Sequence, residues 1–407
     1  MNSALKNHAT YINNKVDTNE ISLSQYISTD NILQNKQGIE CATSLPIQGG
    51  KVTSFKKGDI LLANIRPYLK KIWYAQFDGG CSADVLAIRA NTETDSHFLF
   101  YALFRDDFFI HAMKGAKGTK MPRGDKTQIM EFKIPVFDLK TQQSIAAVLS
   151  TLDKKIALNK QINARLEEMA KTLYDYWFVQ FDFPDANGKP YKSSGGEMVF
   201  DETLKREIPK GWEVKSLGNL AEIVGGSTPS TADSDNFCSN GTAWITPYDL
   251  SKNQDNKFIS HGEIDVSEKG IKNASLKKYP TGTVLMSSRA PIGYMAIARN
   301  EVTTNQGFKS FIPNKGFSKE FVFYAVKNSL KSIMQSASGS TFKEVSATTL
   351  HSIQAVFPKH ELVEKYTERS KKIFKIQDNL EKQNHQLTQL RAFLLPMLMN
   401  GQVSVAE

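Results

Sequence analysis

The most regular hydrophobic pattern in the chain lies between Thr141 and Val179. This stretch contains no proline or glycine, and its apolar residues recur with a period of about 3.5 residues, as in the seam of a coiled coil. A helix of about 38 residues spans roughly 57 Å, which is too long for the interior of one small domain. The predicted seam includes Leu152, Ile156, Asn163, Leu166 and Leu173.

A second stretch near the C-terminus has the same pattern in a rougher form. Its predicted seam includes Ile373, Leu380, Asn384, Leu387 and Leu394. A shift of 221 positions superimposes Asn163 on Asn384. We predict that the two helices pack against each other, with the seam asparagines fixing the register at some cost in stability. The alternative is two long helices that do not pack together.

Each long helix ends one copy of a larger repeat. Three segments of the first half recur in the same order in the second half, at offsets of 218, 224 and 223 positions. They are Tyr26–Ile32 with Trp244–Leu250, Gly58–Leu62 with Gly282–Met286, and Phe98–Leu103 with Phe321–Val326. Because repetition at a nearly constant offset reflects a repeated architecture, we predict an internal duplication with pseudo-two-fold symmetry.

The rest of the chain predicts mixed α/β domains. Short runs of β-branched and aromatic residues, such as Asp59–Ala63 and Thr283–Ser287, are bounded by glycine, proline or aspartate. Prolines and glycines between 181 and 207 predict a linker. The predicted order is a globular domain at 1–140, a long helix at 141–180, the linker at 181–207, a second globular domain at 208–358 and a second long helix at 359–407.

Charge and composition narrow the class of function. Lys and Arg number 51 against 42 Asp and Glu, a net charge of +9 that favours a polyanionic partner. Cys41, Cys81 and Cys238 are far apart in the sequence, so we expect reduced, buried thiols and neither disulfides nor a zinc site. Since no apolar run reaches the length of a membrane helix and no secretory signal is found, we expect a cytoplasmic protein.

No catalytic motif is found in the sequence. It lacks the Pro-Pro-aromatic loop of amino-group methyltransferases, a glycine-rich cofactor turn and a phosphate-binding loop. A nuclease-like pattern joins Asp185 to Glu213 and Lys215, but it is split between the predicted linker and a separate motif, whereas a metal-dependent nuclease needs these groups on adjoining strands. We therefore expect a binding protein with no catalytic residues and no metal site.

Several motifs together resemble the specificity subunits of type I restriction-modification systems. They are Ile208–Glu213, Leu217–Leu220, Gly225–Pro229, Trp244–Pro247, Gly339–Phe342 and Val356–Pro358. Their order and the duplicated layout are as characteristic as the motifs, although the first repeat lacks the Pro-x-Gly-Trp start of the second. The resemblance implies an α/β fold class, with two mixed α/β target-recognition domains separated by two long helices that pack as an antiparallel coiled coil.

The resemblance also implies a function and a set of partners. Each recognition domain is expected to read one half of a bipartite, asymmetric target in double-stranded DNA, and the helices are expected to set the unread gap. Two methylating subunits would supply S-adenosylmethionine, and restriction subunits in the full complex would use ATP and Mg, so no cofactor is expected in this chain. The alternatives are a single-chain DNA-modifying enzyme and a helical scaffold that binds only protein.

Basic residues in two loops are the candidates for DNA contact. The first loop contains Lys114, Lys117, Lys120, Arg123 and Lys126, with Asp125 as its one acidic residue. Glycines among these cations allow close approach to phosphate. The corresponding segment of the second repeat, Ser338–Lys343, contributes Lys343. Arg66 and Arg289, each at a predicted strand end and followed closely by a proline, are candidates for guanine contact. The alternative for every one of them is an ordinary surface residue.

Overall fold

The structure is a computed structural model that describes residues 2–46, 49–289, 291–338 and 343–405. The chain divides into two compact units. Unit 1 comprises Met1–Ala157 and His385–Glu407, and unit 2 comprises Leu158–Asn384. Each of the two long helices therefore contributes one part to unit 1 and the other part to unit 2. Within these described ranges, no helix has both the length and the apolar character needed to cross a membrane.

Unit 1 contains two four-stranded sheets and a short antiparallel pair. The strands are β1 (Asn2–Ala4), β2 (Ala9–Tyr11), β3 (Lys15–Asp17), β4 (Tyr26–Ile27), β5 (Lys51–Phe55), β6 (Ile60–Ala63), β7 (Ile72–Tyr74), β8 (Gly79–Cys81), β9 (Val85–Ala90) and β10 (Lys133–Pro135). The helices are α1 (Ser96–Leu103), α2 (Asp106–Lys114), α3 (Lys126–Met130) and α4 (Leu139–Tyr174), which a π-helical turn, Asp175–Val179, continues. The sheet orders are β2-β9-β6-β7 and β3-β5-β8-β4, and β1 pairs with β10.

The core of unit 1 joins the first sheet to both long helices. All four residues of β6 are apolar and buried, as suits an inner strand covered on both faces. Ile60 and Leu62 belong to one hydrophobic cluster with Leu149 of α4 and with Leu395 near the C-terminus. Because each such side chain contributes about 1.5–3 kcal/mol when it is fully buried, this cluster holds the domain to the helices.

Unit 2 repeats this arrangement with additions. Its strands are β11 (Met198–Asp201), β12 (Arg206–Pro209), β13 (Glu213–Ser216), β14 (Glu222–Gly225), β15 (Phe237–Cys238), β16 (Thr242–Ile245), β17 (Phe258–Ile259), β18 (Ile264–Val266), β19 (Val284–Met286), β20 (Met295–Ala298), β21 (Val302–Thr304), β22 (Lys309–Ile312) and β23 (Gln354–Phe357). Its helices are α5 (Pro247–Lys252), α6 (Glu268–Asn273), α7 (Lys319–Gln335), α8 (Ala347–Ser352) and α9 (His360–Met399).

Strand order confirms the duplication inferred from the sequence. The sheet β14-β22-β19-β20-β17 matches β2-β9-β6-β7 with one added strand. The antiparallel pair β13–β23 matches β1–β10, and the parallel pair β16–β21 matches β4–β8. The same topology has therefore been built twice along one chain.

The long helices pack antiparallel in each unit. α4 begins beside Asp138, whose carboxylate accepts a hydrogen bond from the Thr141 backbone N–H at 2.9 Å. In unit 1, Asp153 of α4 pairs with Arg391 of α9. In unit 2, Asn159 meets Asn384, and the ring of Tyr174 lies 6.1 Å from that of Tyr366. Residue numbers rise along one helix and fall along its partner, so the fold class is confirmed.

Some features differ from the sequence-based expectations. The segment predicted as a linker contains β11 and the first half of β12, and its Phe181 and Phe183 are buried against Trp212. α9 ends at Met399, before Gly401 with a φ of +68°, and not at 407.

All three cysteines are free thiols, but the expectation that they are buried is wrong for two of them. Cys81 is buried, whereas Cys41 and Cys238 are exposed.

Candidate nucleic-acid interface

The basic loop of unit 1 is attached to the end of strand β6. The backbones of Lys117 and Arg123 exchange two hydrogen bonds of 2.9 Å, which close the loop into a short hairpin. Arg123 also forms a β-bridge with Ile65, and the Gly124 N–H donates to the Asn64 carbonyl at 3.0 Å. The hairpin therefore extends the edge of the sheet, and its position is set by backbone pairing.

All five predicted cations of this loop are exposed. Arg123 pairs with Asp84 at 2.5 Å, and its side chain remains 60% exposed. Within the described part of the chain, the other four form no ion pair. These residues are Lys114, Lys117, Lys120 and Lys126. Unpaired ammonium groups on a backbone-fixed hairpin suit phosphate binding, because each one that meets a phosphate releases condensed counterions.

Arg66 lies directly beside this hairpin. Its backbone N–H donates to the Pro122 carbonyl at 2.7 Å, and its backbone is left-handed, with a φ of +53°. This conformation costs a residue with a side chain about 1–2 kcal/mol and is common at functional sites. The Arg66 Nε is buried without a hydrogen-bond partner among the described residues, and Tyr68 is 50% exposed close by.

Unit 2 builds the same platform from equivalent segments. Glu344 forms bridges with both Ser338 and Arg289, as Arg123 does with Lys117 and Ile65. The Val345 N–H donates to the Ser288 carbonyl at 3.0 Å, the counterpart of the bond from Gly124 to Asn64. A hairpin attached to a strand end is therefore a duplicated element.

The chemistry of the two platforms differs, and the predicted equivalence of the two basic loops needs correction. Glu344 occupies the place of Arg123, so the second loop is less basic; Lys343 beside it is exposed. Arg289 occupies the bridge position of Ile65, so Arg66 and Arg289 are displaced by one residue. The offset of 224 positions found in the preceding strand pairs the same two positions, Ile65 and Arg289, so the sequence repeat and the strand register agree. Residues 339–342, which include most of the predicted second loop, lie outside the described residues.

The sequence alone did not show how a further part of the second platform is assembled. Parallel strands β16 and β21 end at the same edge, where the Asn305 N–H donates to the Ile245 carbonyl at 3.2 Å. Tyr248 is 56% exposed there, and the Lys252 ammonium lies 4.1 Å from the centre of its ring. Gly307 contacts Arg289 at this edge, since an added β-carbon would lie 3.5 Å from the arginine Nε. In the sequence, Pro247 and Tyr248 closely follow strand β16. Their place at this edge depends on the pairing of β16 with β21, which joins residues far apart in the sequence.

The ten predicted seam residues are all half-buried in the long helices. Asn384 accepts a hydrogen bond from Asn159, at 3.0 Å, and Asn159 is fully buried. Phe374 and Glu381, each one residue beyond the predicted Ile373 and Leu380, are buried more deeply. The reason is that α9 in unit 2 packs against the recognition domain as well as α4, so its deepest side faces both.

The structure shows where the residues of the nuclease-like pattern lie and whether any side chains are grouped as metal ligands. Among the residues described, no group of three or more histidine, cysteine or acidic side chains is arranged to hold a metal ion. Asp185 of the nuclease-like pattern accepts hydrogen bonds from the Asn187 and Lys189 N–H groups in a turn, both at 2.8 Å. Glu213 pairs with its neighbour Lys215 on β13.

Comparison with known proteins shows the family. The family model for the type I restriction modification DNA specificity domain matches residues 4–168 and 209–392, once in each repeat. The MjaIX specificity subunit of Methanocaldococcus jannaschii is 39% identical over 196 residues, which cover 48% of this chain and 45% of that protein. The HindI specificity subunit of Haemophilus influenzae is 27% identical over 96% of this chain and 97% of its own length.

A solved structure agrees on the fold. The type I restriction-modification S subunit from M. genitalium matches with a TM-score of 0.62 and 16% identity, over 98% of this chain and 96% of that one. Since the family model covers both repeats and most of the sequence, this chain belongs to the type I restriction-modification DNA specificity family, as a specificity subunit.

Proposed function

We propose that this specificity subunit reads a bipartite, asymmetric DNA target, with one recognition domain for each half. In unit 1, Arg66 and the hairpin at Lys117–Arg123 form the reading surface. In unit 2, Arg289, Lys343 and the edge at Tyr248 do so. The antiparallel helices set the unread gap between the halves.

The observation that carries this proposal is the duplicated platform. One hairpin-on-strand arrangement occurs in both units with the same backbone bonds but with different side chains, Arg123 in one and Glu344 in the other. A repeated scaffold suits a repeated contact with a regular duplex, and diverged side chains suit two different half-sites. Two such binders on one chain give a target in two parts.

The proposal extends to partners. Specificity subunits are the non-catalytic members of type I systems, so methyl transfer requires two methylating subunits that bring S-adenosylmethionine. Restriction subunits would add ATP- and Mg-dependent cleavage. We place the docking of the methylating subunits on the long helices, and the assembled complex in the cytoplasm.

The test uses the chain assembled with its methylating subunits. We expect the methylated motif of the wild type to have two specified parts, and Arg66→Ala and Arg289→Ala each to relax one part and leave the other unchanged. Loss of a bidentate arginine–guanine contact costs about 1–3 kcal/mol at the base concerned. Sequencing of methylated genomic DNA reads both halves at once.

Each variant serves as the control for the other, because both remove an arginine near a strand end. A continuous motif, or relaxation of the same half by both variants, would show that the two units do not read separate half-sites. Methylation by the purified chain alone would contradict its role as a non-catalytic subunit.

A further inference from the structure

The repeated Phe-x-Phe-Tyr-Ala motif contributes a polar contact that the proposed DNA surface does not use. Its tyrosines, Tyr101 on α1 and Tyr324 on α7, are each only 2% exposed. The Tyr101 hydroxyl donates to Asp153 at 2.6 Å, and the Tyr324 hydroxyl donates to Glu167 at 3.0 Å. Both carboxylates belong to α4, so each recognition domain is bonded to the same long helix.

Each carboxylate also reaches the other long helix. In unit 1, Arg391 of α9 pairs with Asp153. In unit 2, Gln377 of α9 donates to Glu167 at 3.4 Å. Both units therefore contain a three-part link from a recognition-domain tyrosine, through a carboxylate on α4, to a polar side chain on α9.

Duplication alone does not account for the second link. The position 221 residues beyond Asp153 is Phe374, whose ring lies 5.9 Å from that of Tyr324. A simple copy of the first link would have an acid at that position. The acid that Tyr324 contacts, Glu167, instead lies on the opposite helix of the pair. The same contact has thus been made from non-equivalent helix positions, which indicates that the contact itself is useful.

The link in unit 2 is reinforced by two cations, the buried Lys257 and the exposed Lys327. Lys257, with a side chain 4% exposed, lies 2.6 Å from Glu167 and donates to the Tyr324 hydroxyl at 3.0 Å and to Gln377 at 2.7 Å. Lys327 reaches Glu167 at 2.8 Å. The Glu167 carboxylate is held in this place, because moving it would leave the buried Lys257 ammonium without its anionic partner.

A buried hydroxyl bonded to a half-buried carboxylate differs in kind from the packing around it. Phe98 and Phe321 of the motif pack in the hydrophobic clusters of their units. Because hydrophobic contacts are non-directional, they oppose separation of the domain from the helices more than its rotation on them. A charge-assisted hydrogen bond fixes both a distance and an angle, and it is stronger in a water-poor interior. The tyrosine therefore adds a directional restraint on how its recognition domain is oriented on its own part of the helix pair; in unit 2, Arg299 adds another by pairing with Asp378 and Glu381 of α9.

We infer that Tyr101 and Tyr324 are positioning residues that restrict the complex to one gap length between the two half-sites. This inference rests on the proposed function, since it assumes a bipartite target. The tyrosines do not contact DNA. They hold each reading surface at one angle to the helices, so that a half-site shifted along the duplex by one base pair is not reached.

The experiment compares Tyr101→Phe and Tyr324→Phe in the complete complex with its methylating subunits. The substrates are duplexes with the two wild-type half-sites at the wild-type gap and at gaps one base pair shorter or longer. We expect the ratio of methylation at neighbouring gaps to methylation at the wild-type gap to rise about tenfold, the effect of one hydrogen bond to a charged group. The half-site bases should stay the same, because the reading surfaces are unaltered.

Matched controls separate positioning from stability. Tyr279 is fully buried and donates to the Gly225 carbonyl inside its own domain, at 2.5 Å, so Tyr279→Phe removes a comparable bond without touching the helices. In unit 1, Tyr74→Phe removes a bond to Ser96 within the domain. These variants should lower the melting temperature and leave the gap ratio unchanged.

The outcomes are distinguishable. An unchanged gap ratio in both tyrosine variants, or an equal change in the two controls, overturns the inference. A wild-type motif in one continuous part overturns the proposed function and, with it, this inference. Should Tyr324→Phe fail to fold, Glu167→Asp provides a second test, since it keeps the charge for Lys257 and Lys327 while withdrawing the carboxylate from the hydroxyl. It should relax the same gap ratio.

Discussion

The exposed hairpin of unit 1 allows a quantitative test of phosphate binding. Lys117 and Lys120 are exposed and form no ion pair within the described residues, so their replacement by alanine should leave the fold intact, within about 0.5 kcal/mol. Each lysine that neutralises a phosphate contributes about 0.9 to the log-log dependence of affinity on salt concentration. If both contact DNA, the slope falls by about 1.8 in Lys117→Ala/Lys120→Ala.

The loss should be the same for the methylation target and for unrelated DNA, because phosphates carry no sequence information. The assay is fluorescence anisotropy of labelled duplexes at a series of salt concentrations. Circular dichroism melting of the variant checks that the fold is retained.

A control is available at the other end of the same strand. Lys56 and Lys57 are exposed in the turn before β6, whereas the hairpin is attached after it, about 13 Å of strand away. Lys56→Ala/Lys57→Ala changes net charge by the same amount and should leave the slope nearly unaltered. An unchanged slope in the hairpin variant would refute the contact, and an equal fall in the control would show only a long-range charge effect.

Three further predictions concern the helices. Burial raises the pKa of Glu167, but Lys257 and a second ammonium outweigh it and lower the pKa to about 2, below the ordinary 4.5. The lowered pKa stabilises the folded protein by on the order of 3 kcal/mol above pH 4.5, and this stabilisation is lost as the pH falls toward 2. Urea unfolding should therefore show Glu167→Gln less stable than the wild type at neutral pH, with the difference vanishing in acid. A difference in unfolding free energy that does not change with pH would contradict this. Asn159→Leu should stabilise the protein by on the order of 1 kcal/mol and raise its melting temperature, because the Asn159 side-chain oxygen is buried without a hydrogen-bond partner among the described residues. A lower melting temperature would contradict this. Four residues inserted after both Ala157 and Asn384 add about 6 Å to each helix, which should lengthen the methylated gap by one or two base pairs, and an unchanged gap would show that the helices are not the spacer.

Local patterns in the sequence determined which elements form. The apolar period between Thr141 and Val179 identified α4 within a few residues, since that period records which side of a helix is buried. Recurring segments identified the duplication, which the matched strand orders confirm. The glycines and lysines after α2 identified an exposed basic loop in the correct place. Each of these signals is carried by short stretches of contiguous residues, and the duplication by the comparison of two such stretches.

The tertiary structure decided which of these elements meet. Strand pairing attached the hairpin at Arg123 to Ile65, and in the second repeat it paired Glu344 with Arg289. Packing of α9 on two neighbours moved its deepest side to Phe374 and paired Asn384 with Asn159. It also gave the repeated tyrosines their carboxylate partners from non-equivalent helix positions. Such contacts join residues far apart in the sequence, and their register depends on packing and hydrogen bonding throughout the domain. No local hydrophobic period therefore encodes them.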